Sequence, residues 1–208
     1  KSKIKNLRKK PGLAIVLVGE NPASEIYVNF KEKTCKEIGF YCERHNLDKG
    51  TSEIDLLKLL NELNQKPSIH GILVQLPLPK QIDEHLIINS ILPHKDVDGF
   101  TPLNLGSLVS ENAILASATA RAVIYLIEST GISIGGENAV VVGKSKIVGK
   151  PVSMMLLSKN ATVTICHSKT KNLAEHTKNA DIIVVAAGVP YLIKKDMVKQ
   201  GAVVIDVG

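Results

Sequence analysis

The sequence has no tryptophan, and only 3% of its 208 residues are aromatic. Readers of single-stranded nucleic acid stack bases on aromatic rings, so this composition argues against that class. Cysteine is also scarce. The three present, Cys35, Cys42 and Cys166, are odd in number, form no C-x-x-C and lack metal-ligand spacing. That excludes a disulfide scaffold and a zinc module, and fits reduced structural thiols in a cytoplasmic protein. No apolar run approaches the length that spans a bilayer. The basic start, KSKIKNLRKK, has no apolar core behind it and is not a signal peptide; it reads as the end of a helix whose beginning is absent.

What is present is aliphatic. Hydrophobic residues make up 44% of the chain, rich in Ile, Val and Leu, as buried parallel strands require. The net charge of +6 comes from 26 basic and 20 acidic residues. A solvated, lysine-rich surface accounts for it, and the resulting field also favours anionic ligands. The cations are spread along the chain, so no nucleic-acid or membrane partner is expected.

Apolar runs at 13–18, 40–45, 71–76, 139–142, 161–166, 182–186 and 202–207 read as strands. Amphipathic stretches at 23–38, 53–64, 83–91, 120–129, 150–157, 173–178 and 194–199 read as helices. Their alternation predicts parallel sheets of βαβ units. The pattern runs twice, from 13 to about 91 and from 139 onward. It predicts two α/β lobes joined near 110–120, with domains at 1–115 and 116–208. The final strand, GAVVIDVG, reads as a central buried one.

In the second lobe, residues 139–151 read AVVVGKSKIVGKP: a strand, a glycine loop and Pro151 in a first helical turn. Such a loop presents free N–H groups to phosphate. The spacing Gly143-x5-Gly149 departs from the usual G-x-G-x-x-G, and a glycine turn in any βα unit would look the same. The following strand sharpens the reading. It ends in His167-Ser168-Lys169, without the acid that holds an unphosphorylated ribose. With Lys144 in the glycine loop, NADP is favoured over NAD. The next strand ends in Ala187-Gly188, small enough for a cofactor to approach the backbone.

In the first lobe, Ser24, Tyr27 and Lys31 share a helix face, while Ile26 and Phe30 lie on another stripe available for the core. A tyrosine with a lysine four residues on is chemically useful, yet spacing alone favours a plain amphipathic helix whose lysine reaches water. The pair precedes the glycine loop, which rules out a short-chain dehydrogenase arrangement. Asp96 and Asp98 flank Val97 in KDVDGF. They lack a third metal ligand, so no metal is expected. A solvated Asx-turn is the usual explanation; alternatively Asp98 faces a cleft and accepts hydrogen bonds from an amino-heterocycle.

Together, S-x-x-Y-x-x-x-K (Ser24, Tyr27, Lys31), GILVQLPLP (71–79), KDVDGF (95–100), VVGKSKIVGKP (141–151), ATVTICHSKT (161–170) and GAVVIDVG (201–208) strongly resemble the bifunctional methylenetetrahydrofolate dehydrogenase/cyclohydrolase family. The resemblance implies an N-terminal three-layer α/β catalytic lobe, a C-terminal Rossmann-like parallel sheet, a cleft between them and a homodimer. It implies NADP-dependent oxidation of 5,10-methylenetetrahydrofolate and hydrolysis of the methenyl product to 10-formyltetrahydrofolate. Lys31 would handle protons, Tyr27 would lie against the folate, Gln75 would hydrogen-bond Lys31 and Asp98 would grip the pterin, with Ser24 beside them. Gly143, Lys144, Ser145, Ile147, Gly149, His167, Ser168, Lys169 and Gly188 would surround the cofactor.

Gln75, at the end of an apolar strand, then has a purpose. A neutral amide orients Lys31 without holding it as a cation, whereas a carboxylate would raise its pKa. The chain departs from the family at Ser117-Ala118-Thr119-Ala120, where P-C-T-P is usual. Thr119 remains, as the expected N-cap of the next helix. The family's opening helix and closing P-G-G-V-G-P segment are not present. A dehydrogenase without the hydrolytic step and a silent nucleotide-binding module are the competing readings. Retained Tyr27, Lys31 and Gln75 speak against the first.

Overall fold

The computed structural model describes residue 7 and residues 9–208. The reading of the basic start as a helix end falls, for residues 1–6 and 8, outside them. The chain folds as two compact units that divide between Leu103 and Asn104.

The first unit alternates β1 (Gly12–Val18), α1 (Pro22–Ile38), β2 (Tyr41–Leu47), α2 (Glu53–Gln65), β3 (Gly71–Val74) and α3 (Glu84–Ser90). The strands form a parallel sheet in the order β2-β1-β3. Successive side chains of β1 point to opposite faces. Ala14, Val16 and Val18 pack with Leu56 and Leu60 of α2 and Ile87 of α3. Ile15 and Leu17 pack with Val28 of α1. Both faces being covered, β1 and β3 read as unbroken apolar runs. Beyond β3, the backbone at Asp96 makes a further parallel bridge to Ile72.

Helix α1 corrects the sequence reading. Asn21 caps it, its side chain accepting from the Ser24 N–H at 3.1 Å, and Pro22 occupies the first turn. Its buried stripe is Ser24, Val28 and Cys35. Ile26 and Phe30 lie about half a turn away and are 68% and 71% exposed, not in the core. Ser24 takes a core position because its hydroxyl has a partner in the sheet layer.

Residues expected to be connecting chain contain another helix, α4 (Pro102–Val109). Pro102 suits a first helical turn, where its missing N–H costs nothing. This helix spans the point at which the two units divide.

The second unit continues with α5 (Ala118–Ser129), β4 (Asn138–Val142), α6 (Gly149–Ser158), β5 (Thr162–Cys166), α7 (Leu173–Thr177), β6 (Ile182–Val185) and β7 (Val203–Asp206). Its parallel sheet has the order β5-β4-β6-β7. Val141 and Val184 face Ile127 of α5 and Leu156 of α6. Val140, Val142 and Ile183 face the other way, with Cys166 and Leu173. This is the expected Rossmann-like layering. Strand β7 is not central: among the described residues it pairs only with β6, and its residues alternate half-buried and exposed. The expected helix at 194–199 is a single 3-10 turn, Lys195–Met197. The N-cap of α5 is Ser117, not Thr119. Ser117 accepts from the Ala120 N–H and donates to the carbonyl of Ile147, which ties the start of α5 to the glycine loop.

Candidate active site

Strand β3 ends at Val74, and the chain leaves the sheet through Gln75, Leu76 and Pro77. Helix α1 lies over that end. Lys31, half-buried on its inner side, donates from Nζ to Gln75 Oε1 at 3.0 Å. Gln75 Nε2 donates to the Leu76 carbonyl at 2.9 Å, and the buried Ser24 hydroxyl reaches the same oxygen at 3.4 Å. The expected lysine–amide pair is thus present, and Ser24 steadies the turn behind it. Tyr27, one turn before Lys31, is 63% exposed, so its ring is open to a ligand.

Asp98 approaches from the KDVDGF segment. It is no solvated turn residue. Burial raises its pKa to about 6; Lys31 pulls the value down and Asp96 pushes it up. Asp96 is itself buried and accepts from the Thr101 N–H at 2.7 Å. Lys31, Gln75 and Asp98 therefore share one site, made by α1, the end of β3 and the segment beside it. Parallel α/β sheets place ligands at this edge. The arrangement offers an aimed lysine, a carboxylate that burial shifts toward its neutral form and an open aromatic face.

Lys95 escaped the sequence reading. It is only 7% exposed, and its ammonium donates to the carbonyls of Leu63, Asn64 and Lys66 at 2.7–3.0 Å. Burial pushes its pKa below the ordinary lysine range. Nothing in sequence marks a lysine as buried, because the residue type is nearly always at the surface.

In the second unit, a hollow of about 530 Å³ opens at the ends of β4, β5 and β6. Gly143, Lys144, Ser145, His167 and Ser168 line it, together with Thr170 and Ala186. Gly143 and Gly149 must be glycine. A Cβ on the first would sit 2.2 Å from the Ala186 carbonyl oxygen, and one on the second 2.1 Å from that of Gly143. The Ser145 hydroxyl accepts from the N–H groups of Val148 and Gly149 at the start of α6. Its own proton remains to be donated outward. Ile147, Gly149 and Lys169 do not line the hollow, and Gly188 lines the neighbouring one. Thr170, the last residue of ATVTICHSKT and given no role by the sequence, fixes the loop by accepting from the His167 N–H at 2.8 Å. The residues present fit a dinucleotide: backbone close approach, a helix start for phosphate, and no acid against an added phosphate.

Family models agree with this division of labour. The catalytic-domain model of tetrahydrofolate dehydrogenase/cyclohydrolase matches residues 1–98, and its NAD(P)-binding-domain model matches residues 117–208. The Bifunctional protein FolD of Moorella thermoacetica is 56% identical over 198 residues, 95% of this chain and 71% of the relative. The crystal structure of the bifunctional FolD dehydrogenase/cyclohydrolase from Campylobacter jejuni superposes with a TM-score of 0.95 at 45% identity, covering 100% of this chain and 74% of that one. The Trypanosoma brucei enzyme complexed with NADP cofactor and inhibitor gives 0.92 at 37% identity, with 96% and 69% covered.

Proposed function

The chain belongs to the tetrahydrofolate dehydrogenase/cyclohydrolase family, and we propose that it carries both activities that the name joins. It oxidises 5,10-methylenetetrahydrofolate to 5,10-methenyltetrahydrofolate with NADP, then hydrolyses that product to 10-formyltetrahydrofolate. The Lys31–Gln75 hydrogen bond beside Asp98 is the observation that carries the reading.

In the first step the one-carbon bridge would lose a hydride, for which NADP would supply the acceptor when bound, and the bridging nitrogens would share the positive charge left behind. No proton is released, so this step needs positioning more than acid–base help. Asp98 supplies it by accepting hydrogen bonds from N–H donors of the pterin, and Tyr27 by offering a flat face.

The second step does move protons. Water adds to the methenyl carbon and loses a proton; the bond to one nitrogen then breaks as that nitrogen gains a proton and the new hydroxyl gives its own to solvent, leaving the formyl carbonyl. Lys31 as a free amine takes the first proton and, as ammonium, returns one to the leaving nitrogen. The Gln75 carbonyl accepts from Lys31 in either state, so the amine stays aimed without being held as a cation. In the second unit, Lys144 and Ser168 would hold the 2′-phosphate of NADP, and the Ser145 hydroxyl would donate to the pyrophosphate.

The same reading extends to a homodimer in the cytoplasm. Exposed Ile26, Phe30 and Tyr41 supply apolar surface of the sort an interface covers. Cys35 and Cys42 are neighbouring free thiols, which suits a reducing compartment. Among the described residues no helix is long and apolar enough to cross a membrane.

Purified protein given 5,10-methylenetetrahydrofolate with NADP, and separately with NAD, should form the methenyl product with NADP in preference. It should also hydrolyse added methenyl-folate. No methenyl-folate formed with either cofactor would defeat the dehydrogenase reading. Absence of hydrolysis alone would leave a monofunctional dehydrogenase.

A further inference from the structure

Lys95 has a role that neither reaction step explains. Its ammonium has three N–H donors, and three backbone carbonyls meet them: Leu63, Asn64 and Lys66, at the closing end of α2. The last carbonyls of a helix lack partners within it and carry the negative end of its dipole, so a cation there is well matched. Such caps normally sit at the surface. This one comes from a different segment and is buried.

That segment leads straight into the site. The Lys95 carbonyl accepts from the Ile72 N–H at 2.7 Å, which docks the chain alongside β3. Asn64 makes a second tie: its side chain donates to the Ser90 carbonyl at 2.7 Å and accepts from the Leu92 N–H at 3.0 Å. Asp98 follows three residues after Lys95. The charges acting directly on Asp98 are Lys31 on α1 and Asp96 in its own segment. Lys95 is not one of them, so any influence on Asp98 passes through the backbone.

We propose that Lys95 is a positioning residue. By plugging the end of α2 it fixes the depth of the 95–100 segment, and so holds Asp98 in the half-buried setting from which it meets the folate. The proposal rests on the folate reading for its catalytic consequence, but not for its structural one. Without the plug, the segment rises toward water, Asp98 is hydrated, and the burial that favours its neutral form is relieved.

The Asp98 carboxyl should therefore be titrated by carbon NMR in the free protein, its signal assigned with Asp98→Asn. The parent midpoint is expected at about 6. In Lys95→Met it should fall toward the ordinary carboxylate range. Lys95→Arg keeps the cation and is the variant to use if the methionine one does not fold. Its longer planar head cannot sit among three converging carbonyls, so the midpoint should fall there too. Leu60→Ala, which opens the same core beside α2, should lower the melting temperature and leave the Asp98 midpoint in place. In active protein, the folate KM of the lysine variants should rise about tenfold while kcat changes less. An unmoved Asp98 midpoint in a folded lysine variant would overturn the proposal, as would an equal shift in Leu60→Ala. Because the titration needs no turnover, an inactive parent would sink the folate reading without touching this result.

Discussion

Lys31 Nζ donates to Gln75 Oε1 across 3.0 Å, and the other end of the same amide is committed to the Leu76 carbonyl at 2.9 Å. The second bond settles the orientation of the first. With Nε2 engaged by a carbonyl, only the oxygen can face the lysine, so the amide is locked as an acceptor. Sequence position, side-chain chemistry and backbone exit angle all serve one contact.

Gln75→Glu tests that contact. A carboxylate in the same place would hold Lys31 as an ammonium in an ion pair, and would leave Leu76 without its amide donor. Less free amine is then available at neutral pH. Methenyl-folate hydrolysis should fall about 10- to 100-fold at neutral pH, with the rising limb of its pH–rate profile moved to higher pH. Dehydrogenase turnover should change much less, because hydride transfer releases no proton. Stopped-flow hydrolysis rates across pH check the shift, and equal losses in both activities would refute the assignment.

Asp98 gives a prediction with the sign worked out from its raised pKa. Burial lifts the folded value to about 6 from an ordinary 3.8. The folded protein then binds this proton more tightly than the unfolded chain, so between those two values stability falls as pH rises. Above about pH 6 the ionised carboxylate costs about 3 kcal/mol at most. Asp98→Asn removes that cost. It should raise the melting temperature at pH 7, with the gain vanishing below about pH 4. The same change should weaken folate binding, since the amide is a poorer acceptor than the carboxylate. Calorimetry at the two pH values and a folate titration read both effects.

Lys144→Gln addresses cofactor choice. A charge-assisted contact to a phosphate is worth about 1.5–3 kcal/mol, so affinity for NADP should drop about tenfold or more. Affinity for NAD, which lacks the 2′-phosphate, should stay within about twofold. Fluorescence titration with each reduced cofactor separates the cases. A parallel loss for both would place Lys144 on the pyrophosphate instead.

Much of this was legible in the sequence because the strands are buried on both faces. Apolar runs such as GILV at 71–74 cannot be mistaken, and a polar residue at their end stands out. Gln75 and the glycine loop were found that way. The departures on α1 and at Lys95 have a common cause. Apolarity suggests burial of Ile26 and Phe30, but the helix is rolled so that Ser24 and Lys31 face inward, where Leu76 and Gln75 satisfy them. Polar groups on a core face cost little when paired, and pairing is invisible in sequence. Lys95 was missed for the same reason: its three partners are backbone carbonyls. Helix α4 was missed because Pro102 and Gly106 look like linker residues, and edge strand β7 because its apolar run resembles that of a central one.

Gly71 supplies the last prediction, and it links the packing of β3 to the chemistry at Asp98. The first residue of β3 lies under Val97: a Cβ built on Gly71 would come within 2.4 Å of Val97 Cγ1 and 3.4 Å of Leu13 Cδ1. No side chain fits there while Val97 keeps its place. Val97 adjoins both Asp96 and Asp98, so pushing it outward moves the acid. Gly71→Ala should destabilise the protein by about 1–3 kcal/mol through overpacking. It should also raise the folate KM, because Asp98 is carried off its position. Val97→Ala removes the clashing atom. If the clash is the cause, Gly71→Ala combined with Val97→Ala should recover most of the lost folate affinity, although it does not restore the full core volume. The free energies of a double-mutant cycle, read once by denaturant unfolding and once by folate binding, should both show strong coupling between residues 71 and 97. Additive binding losses would mean that Gly71 acts on β3 alone and leaves Asp98 where it is.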